Sequence, residues 1–232
     1  PRRSSRPQVS EAPERGNGLV HVSNLACFRL CHKPEAKNWL EHGHSKILRP
    51  VVDGKSPKGA KVKLPDGLSW ADISYLVGGD KYYSRFVDTQ GYVITGDNAQ
   101  WSLKGKTHTP FMTGELCGTI ENLKYGDCIK CHSVGYITSG TYEKGVENSL
   151  PGIPGAWFEN NVGCEACHGP GEHYWSMKVM KDKKLALEKG LVEPNEKLCV
   201  ACHNKESPTF KAIKYEEAYK QVEHHPPKVE KK

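Results

Sequence analysis

A loop-rich fold of short helices wrapped around large non-protein groups, with one small β-rich insertion, is the fold class this sequence predicts. Three observations carry it. Four times a pair of cysteines is followed at once by histidine: Cys27-Phe-Arg-Leu-Cys31-His32, Cys128-Ile-Lys-Cys131-His132, Cys164-Glu-Ala-Cys167-His168 and Cys199-Val-Ala-Cys202-His203. The hydrophobic fraction of the 232 residues is 37%, with 26% charged, 23 Gly and 15 Pro, which is poor material for a side-chain core of this size. The stretch from 51 to about 112 holds no cysteine and is rich in β-forming segments.

The first observation has the spacing of covalently attached haem c. Two thiols must reach the two vinyl groups of one porphyrin while the adjacent imidazole turns inward to the iron, so one short segment both anchors and ligates. Zinc knuckles or disulfides, the competing readings, need no histidine after each pair. Given 11 histidines in the chain, finding one at all four positions by chance has a probability on the order of 10^-5. The implied cofactor is haem c, four per chain. Its thioethers come from Cys27, Cys31, Cys128, Cys131, Cys164, Cys167, Cys199 and Cys202, and its proximal ligands are His32, His132, His168 and His203. The first motif has three residues between its cysteines where the others have two, a spacing that a bulged turn can still bridge.

Four flat apolar porphyrins supply the core that the composition lacks. They also consume eight of the nine cysteines, leaving Cys117 as a buried free thiol or one half of an intermolecular disulfide. A formal charge of +6 would invite nucleic acid. Each haem, however, brings about −1 when ferric and about −2 when ferrous, which leaves roughly +2 or −2 on the loaded protein. Nucleic-acid binding loses its support. No run of 18 apolar residues is present, so no membrane span is expected. The chain opens at Pro1 without a secretion signal, and the expectation is a processed, exported protein, extracellular or on the cell surface, with the periplasm as the alternative.

Residues 1–20 are basic and rich in Pro, Ser and Gly, and are expected to form an extended arm lying on its own globule or on a neighbouring subunit. Residues 21–50 carry the first motif and a short helix with Trp39 and Leu40, closed by His42 and His44. Residues 51–115 form the β-rich insertion, with KVKL, ISYLV, YYSRFV and GYVIT as strands and Asp88 to Gly91 as a hairpin turn. Residues 116–232 hold the other three motifs. A Gly- and Pro-rich loop separates two of them, a helical stretch from His173 to Leu191 is stopped by Pro194, and an amphipathic helix from Phe210 to about Val222 precedes His224-His225-Pro226-Pro227. All four segments belong to one haem-cored domain.

The flanked motifs CIKCHSVGY, NVGCEACHGPGEHY and CVACH, with the opening CHKPEAKNWLEHGH, resemble the tetrahaem cytochrome c-554 family over about 21–49 and 125–225, leaving the arm and the insertion outside. In that family Trp follows the first haem histidine by seven residues and a ligand histidine follows the Trp by five, here His32, Trp39 and His44. The resemblance implies that His44 ligates the fourth haem, His173 the first, and His224 or His225 the third. It also implies an open distal side on the second haem. His108, on the insertion, and His21, from the same chain or a neighbour, are the candidates to fill it. His42 is expected to pack or to meet a propionate, and Met112, Met177 and Met180 are the other possible ligands. Haem count, size and extra segments also resemble the OmcE-type tetrahaem cytochromes, which polymerise into extracellular nanowires and in which a histidine of one subunit ligates a haem of the next.

Seven histidines remain for four distal sites, which favours closing every iron. No paired carboxylate or nucleophile constellation stands out, and Glu159 and Glu165 are expected to be solvated or near propionates. The expected function is electron transfer through four closely packed haems, not catalysis, as the repeating subunit of a homopolymeric extracellular filament with a redox protein or extracellular acceptor as partner. The alternatives are a soluble periplasmic carrier and a haem enzyme acting on a small nitrogen compound at an open second haem.

Overall fold

The computed structural model describes residues 21–25, 27, 32–113, 121–140, 142, 146–147, 150–207 and 210–223. The basic arm, Cys31, Cys117, His224 and His225 lie outside the described residues, and so do the expectations attached to them.

The most regular part is a seven-stranded antiparallel sheet. It comprises β1 (Leu48–Pro50), β2 (Ile73–Gly78), β3 (Tyr83–Asp88), β4 (Tyr92–Val93), β5 (Gly96–Ser102), β6 (Thr107–Phe111) and β7 (Leu123–Lys124). β1, β2, β3, β4 and β7 follow one another across the sheet, while β5 also pairs with β3 and carries β6 on its other side. The strands between β2 and β6 fall within 51–115, and the sheet reaches beyond that range at both ends. Asp88 makes the turn before β4 as expected of an Asx residue, its carboxylate accepting from the Gln90 N–H at 2.8 Å and the Tyr92 N–H at 2.9 Å. Lys61 to Leu64 is not a strand. Val62 and Leu64 instead pack as loop residues against the sheet.

Two faces give two cores. Ile73, Leu76, Phe86 and Trp101 are buried on one face. Ile73 and Leu76 are three apart, an odd step for a strand of period two, and the register shift between Ile73 and Tyr75 brings them to the same side. On the other face Tyr75, Val77, Val87, Val93, Ala99 and Phe111 meet Tyr125, Ile129, Ile153 and Trp157. That second cluster docks the helix Gly126–His132, which carries the second motif, onto the sheet. Truncating Phe86, which is fully buried, opens a cavity between Leu76 and Trp101. Phe86→Ala is expected to cost roughly 3–5 kcal/mol, read as a fall in the denaturant midpoint followed by far-ultraviolet circular dichroism at constant haem content.

Outside the sheet the secondary structure is short. Lys33–Glu41 is helical, with Pro34 in its first turn, where a missing N–H costs nothing, and a 3-10 turn over Gly43–Lys46 follows. The third motif occupies the helix Cys164–His168, and the fourth begins in the helix Glu196–Val200. The stretch expected as one helix from His173 to Leu191 is two, Met177–Met180 and Lys183–Glu188. Asp182 divides them by capping the second, its carboxylate accepting from the Leu185 N–H at 3.0 Å. The final helix spans Tyr215–Val222 and so begins five residues later than Phe210. A two-stranded ladder, Ser133–Val134 against Glu159–Asn160, ties the exit of the second motif to the entry of the third. Among the described residues no helix is long and apolar enough to cross a membrane.

Candidate haem centres

A histidine that ligates iron through Nε2 holds its tautomer by donating Nδ1–H to a neighbour. Two of the four proximal candidates have such a neighbour. His168 Nδ1 lies 3.1 Å from the carbonyl of Val192, which can only accept. His132 Nδ1 lies 2.5 Å from the hydroxyl of Tyr125, a residue only 2% exposed. Burial, and after it the positive charge of Arg85, pushes the His132 imidazole down to about 4. Burial likewise sends the Tyr125 hydroxyl well above its usual value. Both groups are neutral at physiological pH, so a nitrogen lone pair on His132 is available. His32 is half-exposed, with Nδ1 3.9 Å from Glu35.

His44 and His203 come together. Their ring centroids are 6.1 Å apart. Two imidazoles bound to one metal from opposite sides, with metal–nitrogen bonds of about 2 Å, place their centroids roughly 6 Å apart. The pair therefore has the spacing of two axial ligands, one of them the histidine of the fourth motif. Burial first, then His42 and His203, pushes His44 down to about 4, which again leaves it neutral. His42 supports the 3-10 turn, its Nδ1 accepting from the His44 N–H at 3.3 Å. Trp39 donates its indole N–H to the Val162 carbonyl at 2.8 Å, and Val162 N–H in turn bonds the His44 carbonyl at 3.1 Å. These contacts fix the turn bearing His44 against the approach to the third motif.

The cysteines of different motifs meet in pairs. The Cys27 and Cys164 thiols hydrogen-bond to each other, as do those of Cys131 and Cys202. Cys167 lies within electrostatic reach of Cys199 and Cys202. A thioether fixes a porphyrin edge to its sulfur, so sulfurs in contact make their porphyrins neighbours. These contacts, the Nδ1 partners and the His44–His203 spacing fit haem c as the group the site is built for.

The remaining candidates separate. His21 is 4% exposed, stacked on Phe158 at 5.0 Å and edge-on to Tyr142 at 6.1 Å. Its Nδ1 is 3.5 Å from Glu165, and its Nε2 faces Gly135, three residues past His132, so closely that a Cβ there would come within 2.6 Å of that nitrogen. His108 sits on β6, edge-on to Trp101 at 5.0 Å, with Nε2 3.2 Å from the Lys63 carbonyl, and these contacts are within the insertion. His173 is half-exposed beside Glu172, at a shallow pocket shared with Glu188, Lys189 and Gly190. Met112 packs at the edge of the larger core, and Met177 is 55% exposed.

Four residues have roles the sequence did not suggest. Glu165 is not solvated. It is 3% exposed and accepts from the N–H groups of Val22, Ser23 and Gly171, at 3.0, 3.2 and 2.5 Å. Burial alone would raise its carboxyl, but His21 and these N–H groups outweigh that and hold it below the usual value. Glu159 likewise binds the Asn24 N–H at 3.0 Å, and burial raises its carboxyl. Tyr125 and Arg85 stand at the second motif. An acidic residue inside a cysteine motif, Glu165, is the only sequence signal among the four, and Arg85 has none.

The sequence model of the family described as cytochrome c554 and c-prime matches residues 98–169. That range contains the second and third motifs and also β6 with most of β5, so this part of the insertion, expected to lie outside the resemblance, belongs to it. Cytochrome c-554 of Nitrosomonas europaea is 35% identical over 101 residues, covering 38% of this chain and 39% of that protein. Among solved structures, the undecahaem cytochrome from the S-layer of Carboxydothermus ferrireducens superposes with a TM-score of 0.51 at 20% identity, over 85% of this chain and 26% of that one. The outer cell wall cytochrome OcwA does so with a TM-score of 0.52 at 21% identity, over 79% and 37%. The chain thus spans less than half the length of each. Over residues 98–169 it is similar to the cytochrome c-554 family, and it has the fold of multihaem c-type cytochromes, with haem c as the cofactor.

Proposed function

We propose that the chain carries single electrons through four c-type haems outside the cell, and that copies of it join end to end as the subunits of a filament. The observation that carries the electron-transfer reading is the meeting of sulfurs from different motifs. Motif 1 touches motif 3, motif 3 approaches motif 4, and motif 4 touches motif 2. Bound haem supplies reversible one-electron chemistry at iron. The chain's part is to fix the attachment points in the row 1, 3, 4, 2 and to keep the ligand imidazoles neutral and oriented. A row has two ends, and its continuation in a neighbouring subunit is what a filament requires. The S-layer and outer-cell-wall neighbours support an exported location.

Closure of every iron favours a carrier over an enzyme. His44 opposite His203 supports it for the fourth haem. For the second, His21 is better placed than His108, because it is buried in its own chain beside the loop that leaves the second motif and is oriented by a carboxylate, as ligating histidines commonly are. His173 is the proposed ligand of the first haem and the His224/His225 pair that of the third. The test is the ferric spin state by electron paramagnetic resonance on protein with four haems per chain. All-low-spin iron is expected, and a high-spin signal from a quarter of the haem would return the enzyme reading. Negative-stain images are expected to show filaments; dispersed single particles at all concentrations would leave a soluble carrier.

A further inference from the structure

The sheet brings a cation to the second motif. Arg85 lies on β3 between Ser84 and Phe86, both fully buried on the far side, and so shares with Val87 the face that receives the helix Gly126–His132. Its guanidinium rests 4.2 Å from the centroid of the Phe111 ring. Its Nε is buried and has no hydrogen-bond partner. The groups acting on its charge are Cys128, Tyr83 and Tyr125, none of them a carboxylate, and Arg85 itself acts on His132. A partly buried cation with no acid beside it among the described residues is costly. The cost is met when a carboxylate arrives with the cofactor, and each haem carries two.

We propose that Arg85 is the counterion of a propionate on the haem held by Cys128, Cys131 and His132, and that its charge makes this haem easier to reduce than it would be without it. The reading rests on the second motif binding haem. A fixed positive charge next to the porphyrin stabilises the ferrous state, which is one unit more negative than the ferric, and reduction adds one electron with no bond made or broken. Because the sheet rather than the haem segment supplies the cation, the inserted strands set the poise of one end of the row. Arg85 is a positioning and tuning residue, not a catalytic one.

The experiment is a potentiometric titration of Arg85→Gln, Arg85→Met and Arg85→Lys, each with haem per chain counted first. In the two neutral variants one haem in four is expected to become about tenfold harder to reduce, a shift of about 59 mV for one electron, while the other three stay in place. Lysine should restore most of it. Unchanged potentials in the neutral variants overturn the proposal, and so does an equal shift in all three variants, which would make packing on Phe111 the cause. Met keeps the apolar stem without the charge, so this variant guards against simple misfolding. If both neutral variants lose one haem per chain while Lys keeps it, the propionate pairing is supported; loss from all three overturns it. Wild-type protein found with three haems, the second motif empty, would instead remove the reading on which the proposal rests.

Discussion

Glu165→Ala is expected to destabilise the loaded protein by roughly 3–5 kcal/mol, the cost of removing one side of a buried, charge-assisted hydrogen-bond cluster. Three backbone N–H groups, of Val22, Ser23 and Gly171, lose their acceptor, the last of them fully buried and the other two partly so. The first two belong to the irregular segment ahead of the first motif, and the third to the turn after the third motif, so one carboxylate joins chain regions more than 140 residues apart. His21 loses its orienting partner as well. Glu165→Gln keeps one acceptor oxygen and should cost only about 1–2 kcal/mol. Denaturant midpoints read at the haem Soret band, at constant haem content, decide the matter. An alanine variant within about 1 kcal/mol of wild type would mean that the carboxylate does not hold the segment.

His44→Ala is expected to convert a quarter of the ferric haem from low to high spin while all four haems stay attached, since the thioethers do not depend on the distal ligand. Added imidazole should restore the low-spin spectrum by occupying the place left in front of His203, whose ring centroid lies 6.1 Å from that of His44. His42→Ala serves as the control. Its Nδ1 accepts the His44 N–H, so the turn loosens, but the ligand itself remains. A His44→Ala protein with an unchanged low-spin spectrum would sink the pairing with His203.

These two expectations differ in how far the sequence reaches them. The four Cys/His motifs are contiguous chemistry, legible because the reactive groups lie within six residues of one another. His44 was singled out through the family resemblance, in which a ligand histidine follows the Trp by five residues, and the indole bond from Trp39 to Val162 holds the turn that bears it. Glu165 was not legible, since its partners are set by the fold and not by the neighbouring sequence. The sheet was legible where β-branched and aromatic residues cluster, as in β2 and β3. It was not legible in β5 and β6, where Asp97, Asn98 and Pro110 hide strands that pairing with β3 and with each other creates. The single helix expected after His173 failed on a local signal, the cap at Asp182, that the lysine-rich pattern masked.

The docking of Ile129 and Tyr125 on the sheet has a consequence for how the chain matures. Both sheet cores are built of side chains from the sheet and the segment around the second motif, so this region can fold cooperatively as its own unit before the cofactor arrives. The thiols of the second motif then stand on a helix anchored to solid ground. Those of the third and fourth ride on helices of five residues each, too short to persist without partners. Attachment at the second motif seats a cofactor into a finished wall; at the others the cofactor has to build the wall as it arrives.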